Sequence, residues 1–225
     1  MTDYSAFIFD LDGTLIDSAP DITAAINAGF AANGWPQLEP AYVEGFIGNG
    51  PLRLIRDILD DHGLRADEAL IQRAHQTYIE AYMADPASRT RIFPHVREDL
   101  RALQTAGKRL GICTNKTHTI TLRVLETLAL DTFFDAVLGA DVVPACKPDP
   151  SHLLAVSEKM KLAPNSWAYV GDTNVDRLTA EGAEVPFFVV PWGGGESVAA
   201  AQSQRLSRLA DLLPADPNVG SAGRR

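Results

Sequence analysis

Three things are scarce in this chain of 225 residues. The first is cysteine. Cys113 and Cys146 are the only two, too few for a disulfide framework, and no CxxC pair offers a thiolate metal site. Cys113 lies in an apolar stretch and is expected to pack, while Cys146 beside Lys147 reads as an ordinary free thiol. The second is any apolar run of the length a bilayer requires. The opening residues, with acidic Asp3 and few apolar residues before Asp10, also lack the charged-then-apolar pattern of a secretory leader. The expectation is a cytoplasmic protein with no membrane partner. The third is positive charge. Twenty Lys and Arg against 29 Asp and Glu leave a formal net charge of -9, which argues against a nucleic-acid surface but leaves room for a local pocket that binds a small anion.

Present in ordinary amounts are the 46% hydrophobic and 22% charged residues of a globular protein. The length suits one large domain or two smaller ones. The most informative stretch is Phe7-Ile8-Phe9-Asp10-Leu11-Asp12-Gly13-Thr14-Leu15-Ile16-Asp17-Ser18. Its apolar, aromatic start reads as a buried strand, and its carboxylates, glycine and threonine stop that strand. Asp10 is thereby delivered to a sheet edge. Residues two apart on an extended chain point the same way, so Asp12 can face the same pocket. Two confined carboxylates repel unless a cation separates them or one keeps a proton.

From there to residue 91 the periodicity is helical. Ile22, Ala25, Ile26, Gly29 and Phe30 share a face and stop at Asn33-Gly34. Leu52, Ile55, Ile58 and Leu59 repeat the spacing between Pro51 and Gly63, and Leu70, Ala74, Tyr78, Ala81 and Tyr82 form a third stripe. No strand is read between Ile16 and Arg91. From Phe93 onward strands and helices alternate, with strands at Arg109–Cys113, Ala136–Leu138, Trp167–Val170 and Val185–Val190. Asp149-Pro150 starts a helix, and a last helical stretch follows the glycines at Gly193–Gly195 and runs to Leu213. Such alternation predicts an α/β fold, a Rossmann-like parallel sheet covered by helices on both faces. The expected organisation is a discontinuous sheet domain, residues 1–15 and 93–213, with an all-helical cap inserted over 16–92. A tail over 214–225 has little to bury and is expected to be disordered. An insertion leaving the C-terminal end of a strand hangs over the place where such sheets bind ligands, so it would act as a lid.

Polar residues stand at four strand exits: Asp10 with Asp12, Thr114 with Asn115, Lys147, and Asp172 with Asp176. Each alone has a plain explanation as a turn, a helix cap or a first-turn acid. In a parallel sheet, however, all four exits share one edge. A phosphate monoester there would meet Asp10 as nucleophile, forming an aspartyl-phosphate. Hard oxygen ligands from Asp10 and Asp172 suit Mg²⁺. Lys147 adds a second positive charge, Thr114 donates to phosphate oxygens, and Asn115 helps to orient them. Asp12 can protonate the leaving alkoxide and then deprotonate the attacking water, provided burial and anionic neighbours favour its protonated form. The five histidines, His62, His75, His95, His118 and His152, show no HExxH pairing and read as surface or supporting residues rather than zinc ligands.

Taken in order, Asp10-Leu11-Asp12-Gly13-Thr14-Leu15-Ile16-Asp17-Ser18, Thr114-Asn115-Lys116, Lys147-Pro148 and Gly171-Asp172-Thr173-Asn174-Val175-Asp176 resemble the four motifs of the haloacid dehalogenase superfamily. Phe46-Ile47-Gly48-Asn49-Gly50 and Phe93-Pro94-His95-Val96 further resemble its phosphoglycolate phosphatase group. The helix after Asp176, with Glu181-Gly182-Ala183-Glu184, departs from the group's alanine-rich pattern. The resemblance implies Asp10 as nucleophile and Asp12 as acid/base. It also implies Mg²⁺ held by the Asp10 carboxylate, the Asp12 backbone carbonyl and Asp172, with Asp176 in support. A dehalogenase is disfavoured because a departing halide needs no proton donor such as Asp12.

Substrate identity is expected to be decided in the cap. Gly48-Asn49-Gly50, ahead of a helix, offers backbone amides to a substrate carboxylate, and Arg53 one turn further on could pair with the same group, although an exposed arginine is more often a solvated charge. The expected enzyme is a Mg²⁺-dependent phosphatase for a small phosphorylated acid, 2-phosphoglycolate first, and a monomer or small homo-oligomer. A sugar-phosphate phosphatase, such as one for muramic acid 6-phosphate, and a phosphosugar mutase use the same chemistry. A phosphoaspartate receiver-like switch would hold the phosphoryl group instead of releasing it.

Overall fold

The strand Ala6–Phe9, β1, is buried along both faces, as an unbroken apolar run requires. In the computed structural model, which describes residues 3–214, it is the middle of a five-stranded sheet. Chain order continues with β2 (Ile16–Asp17), α1 (Ala19–Ala32), α2 (Pro40–Glu44), α3 (Pro51–Asp61), α4 (Glu68–Ala84) and β3 (Arg91–Ile92). Then follow α5 (Val96–Thr105), β4 (Arg109–Cys113), α6 (His118–Thr127), β5 (Ala136–Leu138), α7 (Pro150–Lys159), β6 (Trp167–Gly171), α8 (Asn174–Gly182) and β7 (Phe187–Val189).

The sheet order is β5-β4-β1-β6-β7, and every pairing within it is parallel. After β1 the chain builds outward through β4 and β5, then crosses back to place β6 on the other side of β1. The order reverses at β1, the place where open α/β sheets form a crevice at their C-terminal edge. Phe7 and Phe9 belong to an apolar cluster that includes Val96 and Leu100 of α5 and Val124 of α6. Ala6 and Ile8 belong to a second, with Leu153 and Val156 of α7 and Ala180 of α8. The α/β fold with helices on both faces of a parallel sheet is as the alternation predicts.

Between β2 and β3 lie α1 to α4. Ile22, Ala25, Ile26, Gly29 and Phe30 are buried on α1, and Ala74, Tyr78 and Tyr82 on α4, so these two stripes face inward. Leu70 and Ala81 are only half-buried, and Ile71 takes an inward place instead. The expectation of no strand at this segment's ends needs correction. Ile16 pairs with Ile92 and Asp17 with Arg91 in an antiparallel ladder, two residues on each side. Strands that short carry no readable period. Just beyond this ladder the buried Asp21 of α1 accepts hydrogen bonds from Thr90 N and Thr90 Oγ1, both at 2.7 Å, and from Arg89 N at 3.0 Å. The outgoing and returning chains are thus fastened to each other.

A second correction concerns the end of the chain. The expected helix toward Leu213 is instead three short 3-10 turns, at 195–197, 202–204 and 209–212. Leu206, Leu209 and Leu212 are all buried, and their spacing of three imitates helical periodicity while matching a 3-10 repeat better. The expected tail beyond Pro214 lies outside the described residues. No helix among the described residues is long and apolar enough to cross a membrane.

Candidate active site

Asp10 follows β1, Thr114 and Asn115 follow β4, and Asp172 follows β6; all four are buried. The ladder extends one step past the strands, with Asp10 N bonded to Val170 O at 2.9 Å and Thr114 N to Leu138 O at 3.2 Å. These side chains therefore emerge in register at the crevice. Lys147 enters from the loop after β5, with a side chain only 1% exposed.

Lys147 Nζ lies 2.9 Å from Asp10 Oδ1, 2.6 Å from Asp176 Oδ1 and 3.0 Å from the Tyr169 hydroxyl. Burial alone would strip its proton, but the carboxylates of Asp10 and Asp176 hold the ammonium well above the usual lysine range. Asp176 is fully engaged. Its Oδ1 accepts from Lys147 and Tyr169, and its Oδ2 from Asp172 N, Thr173 N and Thr173 Oγ1. Burial raises its pKa, yet Lys147 and these hydrogen bonds outweigh that and keep it below the ordinary carboxylate value. Asp176 is therefore a fixed anion.

Asp10 and Asp172 are different. Burial pushes both up, Asp10 to about 8 and Asp172 to about 7, and the neighbouring carboxylates add to the shift. Asp172 Oδ1 accepts from Thr14 Oγ1 at 2.7 Å and Oδ2 from Gly194 N at 3.0 Å. Asp10 Oδ1 has no hydrogen-bond partner, although it forms an ion pair with Lys147 Nζ at 2.9 Å. Gly13, at φ +84°, brings the loop so close that a Cβ there would stand 2.3 Å from Asp172 Oδ2. Carboxylate oxygens of Asp10, Asp172 and Asp176 lie within 4.8 Å of one another. A buried oxygen without a hydrogen bond, two carboxyls whose pKa burial and neighbouring carboxylates raise, and an all-oxygen donor set fit a hard divalent cation such as Mg²⁺. Asp10 and Asp172 have the free capacity, and Asp176 is committed elsewhere.

Asp12 meets a cation rather than the anionic neighbours expected for it. Lys116 Nζ lies 3.0 Å from its Oδ1 and 3.2 Å from its Oδ2, and Ser18 Oγ also donates to Oδ1. The same ammonium stands 4.5 Å from the centre of the Tyr82 ring on α4, a cation–π contact across to the inserted helices. Lys116 was given no separate role in the sequence reading. Its only signal was its place in Thr114-Asn115-Lys116, where nothing tells which of three adjacent polar side chains turns toward Asp12. The helix-cap explanation of Thr114-Asn115 does not hold, since α6 is capped by Thr117. Asn115 Nδ2 instead donates to Gly48 O at 2.8 Å and Lys147 O at 2.9 Å, tying the insertion's loop to the sheet.

Two cavities flank Asp12. One, of about 460 Å³, is lined by Asp12, Asp17, Glu44, Asp172, Thr173 and Gly193 among others. The other, of about 30 Å³, is lined by Asp10, Asp12, Gly48, Gly50, Thr114, Asn115, Tyr78 and Lys116 among others. Gly48 and Gly50 thus reach the site. Asn49 is exposed and lines neither cavity. Arg53 is also outside both, its side chain 66% exposed and its Nε 2.7 Å from Asp57. This agrees with the reading of Arg53 as a solvated charge, since its guanidinium pairs with Asp57 on the same helix. His152 is one of the supporting histidines, fully buried with Nε2 3.2 Å from Leu138 O, and burial and Lys147 lower its pKa to about 4.

A parallel α/β sheet with buried carboxylates and a lysine at its switch point defines a class of hydrolase, and comparison with known proteins says which. Residues 7–190 match the family model described as haloacid dehalogenase-like hydrolase. A phosphoglycolate phosphatase of Cereibacter sphaeroides is 39% identical over 184 residues, covering 80% of this chain and 82% of the relative. Phosphoglycolate phosphatase 1 of Pseudomonas aeruginosa is 34% identical over 214 residues, covering 92% and 78%. A crystal structure from Haemophilus somnus, described as a predicted phosphoglycolate phosphatase, superposes with a TM-score of 0.81 at 28% identity, covering 94% of this chain and 97% of that one. The chain belongs to the haloacid dehalogenase-like hydrolase family.

Proposed function

We propose that this chain is a Mg²⁺-dependent phosphatase that hydrolyses 2-phosphoglycolate to glycolate and phosphate through an aspartyl-phosphate on Asp10. The observation that carries the reading is the unbonded, buried Asp10 Oδ1 at the switch point of the sheet, 2.9 Å from Lys147. The names of the relatives at 34% to 39% identity supply the substrate.

In the first half-reaction an Asp10 carboxylate oxygen forms a bond to phosphorus while the ester P–O bond breaks. The departing alkoxide takes its proton from Asp12. Lys147 compensates charge beside the nucleophile, and Thr114 donates to the phosphoryl oxygens. Asn115, whose amide is spent on Gly48 O and Lys147 O, acts as a positioning residue for the loops around them and not as the phosphate ligand expected of it. In the second half-reaction Asp12 accepts a proton from water as that water attacks the phosphorus, and the Asp10 carboxylate is released. The Asp10 and Asp172 carboxylates and the Asp12 backbone carbonyl would hold a divalent cation, which would supply charge neutralisation at the phosphoryl oxygens. Asp176 and Thr14 hold that arrangement in place. The inserted helices serve as a lid that shields the intermediate from bulk water.

The test is phosphate release from a panel comprising 2-phosphoglycolate, sugar phosphates and muramic acid 6-phosphate, with and without Mg²⁺. We expect 2-phosphoglycolate to lead with kcat/KM of at least ~10⁴ M⁻¹s⁻¹ and to need the metal. A sugar phosphate in first place overturns the substrate, and a phosphorylated protein that persists for minutes overturns hydrolysis in favour of a switch.

A further inference from the structure

The two cavities beside Asp12 have opposite electrical character. Among the described residues, the larger is lined by Asp12, Asp17, Glu44 and Asp172 and by no lysine or arginine. With Asp172 taken up by a cation, the carboxylates of Asp17 and Glu44 still disfavour an anionic leaving group there. In the smaller, Lys116 is the one cation among the described lining residues, next to Gly48 and Gly50 and the apolar Ile22, Ile47 and Leu54. Its side chain is 2% exposed.

Lys116 and Asp12 also stand in each other's way. Both Asp12 oxygens face the Lys116 ammonium, and Oδ1 holds the Ser18 hydroxyl as well. With two donors on Oδ1, the oxygen left for proton donation is Oδ2, and the Lys116 ammonium stands beside that oxygen too. The cavity of about 30 Å³ has room for little more than a water molecule. A leaving group enters it only as the Lys116 side chain shifts.

Building on the phosphatase reading above, we propose that Lys116 is the specificity-determining residue of this enzyme. Its ammonium leaves Asp12 for the carboxylate of the leaving group, which selects a small anionic alcohol and in the same movement exposes Asp12 to the oxygen it protonates. The exchange keeps the buried ammonium paired throughout, with Tyr82 stacked beneath it, so no isolated charge is left in the site. A neutral leaving group offers no replacement anion and leaves Lys116 on Asp12.

The experiment compares 2-phosphoglycolate with ethyl phosphate, in which a methyl group replaces the carboxylate. Selectivity is the ratio of their kcat/KM values, measured with Mg²⁺ for the wild type and for Lys116→Met. We expect the ratio to fall at least ~tenfold in the variant, with most of the change in KM for 2-phosphoglycolate. A purely structural role would slow both esters alike and leave the ratio unchanged. A fall of less than about threefold overturns the proposal. Lys116→Gln, which keeps a donor for Asp12, is read by the same criterion if the methionine variant does not fold. A wild type that prefers 2-phosphoglycolate beside variants that keep the preference defeats this inference alone. A wild type that hydrolyses sugar phosphates and ignores 2-phosphoglycolate defeats the substrate reading with it.

Discussion

Two buried lysines in this molecule pair with carboxylates, and they do so in different ways. Lys147 is enclosed at the edge of the parallel sheet, bonded to Asp176 on α8 and Tyr169 on β6 and beside Asp10, which follows β1. Lys116 joins two parts of the chain, with Asp12 after β1 on one side and Tyr82 of α4 on the other. The first arrangement is built to stay, and the second to be exchanged. On the proposed function, chemistry common to any phosphate ester falls to the fixed lysine, and discrimination among esters to the one that reaches α4.

The strongest way to break this comparison is at the nucleophile. Asp10→Asn should lower kcat for phosphate release by at least ~10³-fold, because the amide cannot form the acyl phosphate. Full turnover by that variant would end the reading of the site. Next comes Lys147→Met, which leaves Asp10 and Asp176 buried without their cation. Urea unfolding of the metal-free protein should show a loss of about 3–5 kcal/mol, against a much smaller loss for Lys116→Met. Equal losses would erase the distinction between the two lysines.

A pH series sharpens the same contrast. Burial and neighbouring carboxylates hold the metal-free Asp10 and Asp172 above their ordinary values, to about 8 and about 7. Below those values protons occupy the oxygens a cation would take, so raising the pH removes the competitor. The Kd for Mg²⁺, followed by calorimetry, should therefore fall from about pH 6 to about pH 8, by up to ~tenfold per pH unit for each proton displaced. A Kd that is flat over that range would contradict the assignment. The smallest effect is expected at Arg53. Arg53→Ala should leave KM for 2-phosphoglycolate within about twofold and stability within about 0.5 kcal/mol, since the guanidinium is exposed and pairs only with Asp57.

Much of the fold was legible because the strands end in residues that no core accepts. Phe9 to Asp10, Cys113 to Thr114 and Gly171 to Asp172 each mark a strand exit by an abrupt change in polarity, and a parallel sheet does the rest. Proline and glycine punctuated the helices equally well at Pro51, Pro150 and Gly107. What stayed hidden shares one cause, which is that the deciding partner is far away in sequence. Lys116 meets Asp12 across 104 positions. Asp21 reads as a solvated first-turn acid until Thr90 is folded onto it 69 positions later. Gly194 donates to Asp172 from a loop whose glycines suggest only a turn. The stretch toward Leu213 differs from its expected helix for a local reason, since Leu206, Leu209 and Leu212 are buried at a spacing of three that short turns satisfy without an α-helix.

The short ladder of Ile16 with Ile92 and Asp17 with Arg91, backed by the Asp21 clasp, brings the two ends of a four-helix segment side by side. A graft entering and leaving through such a doorway does not disturb the register of the five parallel strands. A different set of helices entering here would leave the strand pairings alone but would have to replace Gly48 as the acceptor for Asn115 and Tyr82 as the ring under Lys116. The doorway is thus a seam, crossed at only a few points by the contacts that reach the carboxylates.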